Sequence, residues 1–390
     1  MKHKTKIRST LVAVLAVVLV AFGLWFLRQR DRAGKLTTVS HDESSMPSPV
    51  VSTSRMTPKI TVITNQSMKS GIPSKLDRAK ELIRNLRYAA SKVADVQALC
   101  VANVSILEEL RSLGNDAITA CLDEIADRTS PVSLRILLIE IASSLNERND
   151  PRLGQALMSL ISDTTDVKAV RMQALQWIPQ AGDQSTGIFL VQMLPNERDA
   201  DLEFGITRAL RGFKVPGSVE VLKSELAEDK GHLIRLAASH AIASQGGQDA
   251  LAVLQASVSM RSTAAGRAEG PEETAVTMHK VLALGELPDH SSVPILEPIF
   301  KDSDNAVSVR STAAETIGKI GGLDATRVLR HALLSETNES VLVYIARGLL
   351  RCGNASDALQ CVQRVPSVSD IYTRSELERI ARELQGKESK

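Results

Sequence analysis

The sequence predicts an all-α chain folded as a solenoid of antiparallel helix pairs, on three observations. First, a short helical motif recurs: Leu134-Arg135, Val170-Arg171, Ile234-Arg235 and Val309-Arg310. Each arginine is followed at three residues by Leu138, Ala174, Ala238 or Ala313, and four further on by Ala142, Ile178, Ile242 or Ile317. The arginines lie 36, 64 and 75 residues apart, and a last copy without arginine, Leu342, Ile345 and Leu349, follows at 32. A period in this range, with two helices per unit, marks a helical repeat array. Second, turn residues punctuate the pairs, among them Gly114-Asn115, Gly182-Asp183, Gly246-Gly247, Gly321-Gly322 and Gly353-Asn354. Third, no stretch shows sustained strand alternation bounded by hairpin signals.

Residues 1–8 form a short tail carrying Lys2, Lys4, Lys6 and Arg8. Residues 9–27 follow as a predicted transmembrane signal-anchor helix. Its apolar run, Leu11–Leu27, is uninterrupted, and at about 1.5 Å per residue it approaches the roughly 30 Å hydrocarbon core. The run ends in Trp25-Phe26-Leu27 and then Arg28, instead of the small-x-small site of a cleaved signal peptide. Flanking charge is nearly balanced. For a bacterial chain, the short basic tail stays in the cytoplasm and the large domain is sent across the inner membrane.

Residues 28–75 are rich in Ser, Thr and Pro, as in Ser44-Ser45-Met46-Pro47-Ser48-Pro49, and read as a flexible tether. Helical patterning opens with the stripe Leu76, Ala79, Leu82, Ile83 and Leu86, and the repeat array is expected over residues 76–385. Between Arg235 and Arg310 the spacing exceeds two periods by about eleven residues. The excess falls at about residues 260–273, MRSTAAGRAEGPEE, a polar, Gly/Ala-rich stretch expected to form an inserted loop.

Within a unit each position has a physical reason. The small residues Ala174, Ala238, Ala313 and Ala314 admit close helix approach, and Ile178, Ile242 and Ile317 fill the space between layers. Asp127, Asp163 and Asp302 each precede an arginine by eight residues, where an aspartate could cap the following helix and the arginine reach a neighbouring loop. The segment Asp302–Gly321, DSDNAVSVRSTAAETIGKIG, resembles the short bacterial HEAT repeat, also called the phycobilisome-lyase-type HEAT-like repeat. The resemblance spans roughly Leu76 to Gln385 and is clearest at Val167–Leu194, His232–Leu254 and Val307–Leu359. It implies a right-handed superhelix, usually a protein-binding scaffold, with some members acting as chromophore lyases or enzyme subunits.

Composition narrows the function classes. A formal net charge of +2, from 47 basic and 45 acidic residues, gives no global pull toward nucleic acid. Six Phe, two Trp and three Tyr are few for stacking on single strands. No phosphate loop, Gly-x-Ser-x-Gly elbow, His-Glu-x-x-His helix or Cys-x-x-Cys pair is present. His232 and His240 lack a carboxylate or thiol at ligand spacing, and His279, His290 and His331 stand isolated in the sequence. No metal, cofactor, small-molecule substrate or nucleic acid is therefore expected.

The four cysteines fall near the two ends of the array. Cys352 and Cys361 flank a short turn and could bridge, Cys100 and Cys121 less readily, and buried free thiols are the alternative. If the second helices of the pairs line the concave face, as the resemblance implies, Arg327, Arg330 and His331 on one of them, and Glu220 and Lys223 on another, are candidate partner contacts. The expected function is a membrane-tethered scaffold that binds a protein partner through its concave face, without catalysis. An enzyme or accessory subunit of the lyase type is the alternative, and a nucleic-acid-binding helical repeat a second.

Overall fold

A computed structural model describes residues 73–146, 150–262 and 270–386. Among these residues every regular element is helical. Four helices open the array: α1 Lys75–Ala90, α2 Val96–Ala102, α3 Val104–Ser112 and α4 Asn115–Ala126. Pairs follow in order: α5 Val132–Leu145 with α6 Pro151–Ser162, α7 Lys168–Ala181 with α8 Gln184–Met193, and α9 Ala200–Ala209 with α10 Ser218–Ser224. Then come α11 His232–Gln245 with α12 Gly247–Ser262, and α13 Pro271–Glu286 with α14 Val293–Lys301. The last are α15 Val307–Ile320 with α16 Gly322–Ser335, α17 Glu339–Cys352 with α18 Ala355–Arg364, and a closing helix, α19 Ile371–Gly386.

Local chemistry sets these bounds. Asp183 accepts from the Thr186 amide while Thr186 accepts from that of Asp183, a capping box that starts α8. Asn354 and Asp357 do the same for α18. Asp150 caps α6, with Pro151 at the first helical position. Gly246-Gly247 and Gly321-Gly322 all have positive φ, so α12 and α16 leave their predecessors with no intervening loop. The proposed caps Asp127, Asp163 and Asp302 act differently. Each ends the preceding helix and accepts from the amide two residues on, so it closes a turn and caps no helix start.

The helices form two rows. The odd-numbered helices from α5 to α19 stack extensively on one another, whereas the even-numbered helices from α4 to α18 touch their row neighbours lightly. Small residues permit the tight row. A Cβ on Gly318 of α15 would lie 2.2 Å from the Gly348 Cα of α17, and one on Gly205 of α9 would lie 2.9 Å from Leu175 of α7. The odd-numbered row is thus the tighter of the two, and is called the inner row below.

Between the rows runs one continuous core. Ala174, Ala313, Ile178, Ile242 and Ile317 are all buried there, and Ala238 is buried as well. Each fully buried isoleucine contributes about 1.5–3 kcal/mol relative to exposure.

At the ends of the expected insertion, helix α12 continues to Ser262 and α13 begins at Pro271, where Glu272 and Glu273 complement its N-terminus; residues 263–269 lie outside the described residues. Among the described residues no helix is long and apolar enough to cross a membrane. The anchor at Leu11–Leu27 and the tether up to residue 72 lie outside the described residues.

Candidate partner-binding face

A ladder of buried arginines fixes how successive units sit. The Nε of Arg135, Arg171 and Arg310 each donates to a carbonyl ten residues earlier: Ile125 at 2.8 Å, Ile161 at 3.0 Å and Phe300 at 3.0 Å. The remaining guanidinium nitrogens reach an acid in the next unit. Arg135 grips both oxygens of Asp166 at 2.8 and 2.6 Å, Arg171 meets Glu197 at 3.3 Å, and Arg310 meets Glu336. Arg135 and Asp166 are 2% and 3% exposed, so the pair is fully desolvated. Removing one partner of such a pair costs about 3–5 kcal/mol, because the other charge is left buried.

The ladder changes character midway. Glu203 of α9, 32 residues after Arg171 and 32 before Arg235, occupies an arginine position and pairs with Lys230. The rung is thus reversed in charge. Lys230 also stands 3.4 Å from Glu225, which is 2% exposed. Burial, with Glu203 beside it, pushes the Glu225 carboxyl up to about 7. In the next rung Arg235 meets Glu273 at 2.8 Å, but its buried Nε finds no acceptor.

With the core side and the loop edge thus occupied, the odd-numbered helices present a third, partly open face, called the inner face below. Ile136, Met172, Phe204, Leu236 and Met278 are half-buried, one on each of the five helices from α5 to α13. Beside this apolar strip, His240 of α11 bridges to α13. Its Nδ1 lies 2.7 Å from Glu286 Oε1 and its Nε2 lies 2.8 Å from His279 Nδ1, with the two rings edge to face. Burial, and then the neighbouring His240, lower the pKa of His279. Arg211 reaches Glu286 from α9's C-terminal end at 3.3 Å. Arg208, one turn earlier, lies over the Phe204 ring at 5.7 Å, and burial lowers its pKa although it stays open to the inner surface. Further along, Arg351 meets Glu315 at 2.8 Å and Arg347 meets Glu376 at 3.0 Å.

The sequence reading treats His240 as ordinary and His279 as isolated, yet the fold joins them with Glu286. The two nitrogens of His240 point to different partners, and among the described residues no group is arranged to hold a metal ion. The arrangement can share and relay a proton, and it ties α11 to α13 across the insertion.

The residues singled out as partner contacts stand elsewhere. Glu220 and Lys223 lie on α10, exposed and 3.6 Å from each other. Arg327, Arg330 and His331 lie on α16, where Arg327 pairs with Asp324 at 3.1 Å and Arg330 with the fully buried Asp357 at 2.6 Å. Both helices belong to the looser row. His331 shares an exposed stripe with Leu323, Arg327 and Leu334. Cys100, Cys121, Cys352 and Cys361 form no disulfide, and burial pushes the thiols of Cys121 and Cys361 up to about 12.

Residues 267–350 match the family of HEAT repeats. No curated protein matches the chain in sequence. Two solved structures are similar to it. Human deoxyhypusine hydroxylase in complex with glycerol is 18% identical, with a TM-score of 0.29, over 70% of this chain and 96% of its own. The complex of CpcE and CpcF of phycocyanin lyase from Nostoc sp. PCC7120 is 16% identical, with a TM-score of 0.35, over 68% of this chain and 94% of its own.

Proposed function

We propose that this chain is a membrane-tethered HEAT-repeat scaffold that binds a protein partner along the open face of its odd-numbered helices and carries no catalysis of its own. The observation that supports this most is the inner face itself. A half-buried apolar strip on five successive helices, from Ile136 to Met278, runs beside a row of charged and imidazole groups. An apolar core with a polar rim is the composition of a protein-binding surface. The ladder beneath it holds the helices in register, so the face is pre-organised. The run Leu11–Leu27 would anchor the chain in a bacterial inner membrane, and residues 28–75 would hold the array off the surface.

Site-specific photo-crosslinking in cells tests both parts. A crosslinker in place of Phe204 is expected to trap one defined protein, which a crosslinker in place of Leu323 does not trap. A tag after Lys390 is expected to be cut by protease from outside spheroplasts. Turnover of a small molecule by the purified chain, with no crosslinked protein from Phe204, would replace the scaffold reading with an enzymatic one.

A further inference from the structure

Where α9, α11 and α13 come together, two imidazoles and a carboxylate form a hydrogen-bonded chain that belongs to no rung of the ladder. Glu286 Oε1 is approached from two sides, by His240 Nδ1 at 2.7 Å and by Arg211 at 3.3 Å. His240 Nε2 lies 2.8 Å from His279 Nδ1. While Glu286 is ionised, the chain admits one order of protons. A carboxylate only accepts, so His240 donates to it from Nδ1. A neutral imidazole protonated on Nδ1 has a bare Nε2, so His240 accepts there and His279 donates from its own Nδ1. Both rings are thereby held as the Nδ1-protonated tautomer.

The same geometry limits how many protons the rings can take. A first added proton has the Nε2 of His279, which lies outside the chain, and no hydrogen bond is lost. A second has only the Nε2 of His240. There it sets one N–H against another across 2.8 Å, between two positive rings. The surrounding charges are Arg208 and Arg211 from the end of α9, and Glu286 and Lys280 from α13 itself. Helix α15, packed on α13, adds Lys319 alongside Gly285, and Glu315, which meets Arg351. Helices α10 and α12, also packed on α11, bring no charged contact to either ring among the described residues.

The chain ties helices that are distant in sequence, through contacts 39 and 46 residues apart. It also borders the apolar strip: Leu236 stands one turn before His240, and Met278 immediately precedes His279. The spacing of the two rings therefore sets the spacing of the strip between α11 and α13.

We infer that Glu286, His240 and His279 form an acid-released latch, which holds α11 to α13 while the rings carry at most one added proton and lets go when the second enters between them. The latch needs no partner. Only its consequence, a wider gap in the binding strip between Leu236 and Met278, rests on the scaffold reading above.

The test pairs two measurements on the full chain in detergent micelles, from about pH 8 to about pH 4.5. Nitrogen-15 NMR of the histidine-labelled chain reads the protons, with signals assigned by His240→Gln and His279→Gln. At about pH 8 both rings are expected to carry their proton on Nδ1, and on acidification to take up two protons in steps more than about one pH unit apart. Spin labels on noncanonical residues in place of Leu233 of α11 and Leu282 of α13, both exposed, read the distance between the helices. That distance is expected to lengthen with the second uptake and not with the first, and to stay constant with pH in His240→Gln. Rings protonated on Nε2 at about pH 8, or two independent titrations near about 6.5, overturn the proton order. Separate uptakes at a constant distance, or a lengthening that persists in His240→Gln, overturn the release. Crosslinking from Phe204 judges the scaffold reading separately.

Discussion

Glu225 is buried in the turn between α10 and α11, and its carboxyl is raised from 4.5 to about 7, by burial first and by Glu203 second. Between those values the folded protein keeps a proton that the unfolded chain has released. Stability therefore falls as pH rises through this interval, and stays lower above it. His279 acts in the opposite sense. Its pKa is depressed in the fold, so stability falls as pH drops below the ordinary histidine range, near about 6.5. A comparison that isolates Glu225 must hold His279 fixed. The variant Glu225→Gln does so, since it removes one titration and keeps the side-chain volume. Its thermal midpoint is expected to exceed that of the unmodified chain at about pH 8, with the advantage shrinking toward about pH 5. A difference that is constant with pH would show that Glu225 carries no such proton. The 32-residue spacing places Glu203 on an arginine rung, so the reversed rung is legible in the sequence. The third member, Glu225, lies in a turn that carries no periodic signal, and only the fold brings it to Lys230.

At the scale of helices, the close packing of the inner row rests on a few glycines. A Cβ on Gly318 would lie 2.2 Å from the Gly348 Cα, and backbone cannot yield as a side chain can. Gly318→Ala is thus expected to destabilise by about 1–3 kcal/mol or more, despite the roughly 1 kcal/mol that alanine gains over glycine within a helix. Gly285→Ala is the control. Its Cβ would meet only side-chain atoms, the Thr316 Cγ2 at 3.0 Å, the Lys319 Cδ at 3.5 Å and the Thr316 Oγ1 at 3.7 Å, and side chains can turn away where backbone cannot. Urea denaturation should rank Gly318→Ala well below Gly285→Ala, and equal midpoints would mean that α15 and α17 are spaced more widely. The helices, their order and the buried small positions Ala174, Ala238 and Ala313 follow from periodicity alone. Which row is the tight one does not, because periodicity gives the faces of each helix and not the distance between neighbours. Arg327, Arg330 and His331 accordingly stand on the looser row, which periodicity does not reveal.

The whole array behaves as a chain of units, each held by its two neighbours, so its stability is local and its weakest joint sets where it opens. That joint can be located from the observations already made. Helix α10 has seven residues, whereas most inner helices have fourteen or more. The rung it follows is Glu203–Lys230 in place of an arginine, with the buried Glu225 beside it, and the Nε of Arg235 is buried without an acceptor. Against this, α15 to α18 carry the Arg310–Glu336 rung, the Gly318–Gly348 crossing and the Arg330–Asp357 pair. Hydrogen exchange of the intact chain is expected to show amides from Ser218 to Lys230 exchanging well before those of Val307 to Cys352. The gap should narrow in Glu225→Gln at about pH 8, where the removed carboxylate would have been charged. Uniform protection, or earlier opening of α15 to α17, would refute this placement of the joint. The location matters for binding, because α9 lies on one side of the joint and α11 on the other. Opening there would separate Arg208 from His240 and widen the inner face at its centre. A partner seated across both helices would oppose the opening, so the same exchange experiment with that partner bound should slow Ser218 to Lys230 selectively.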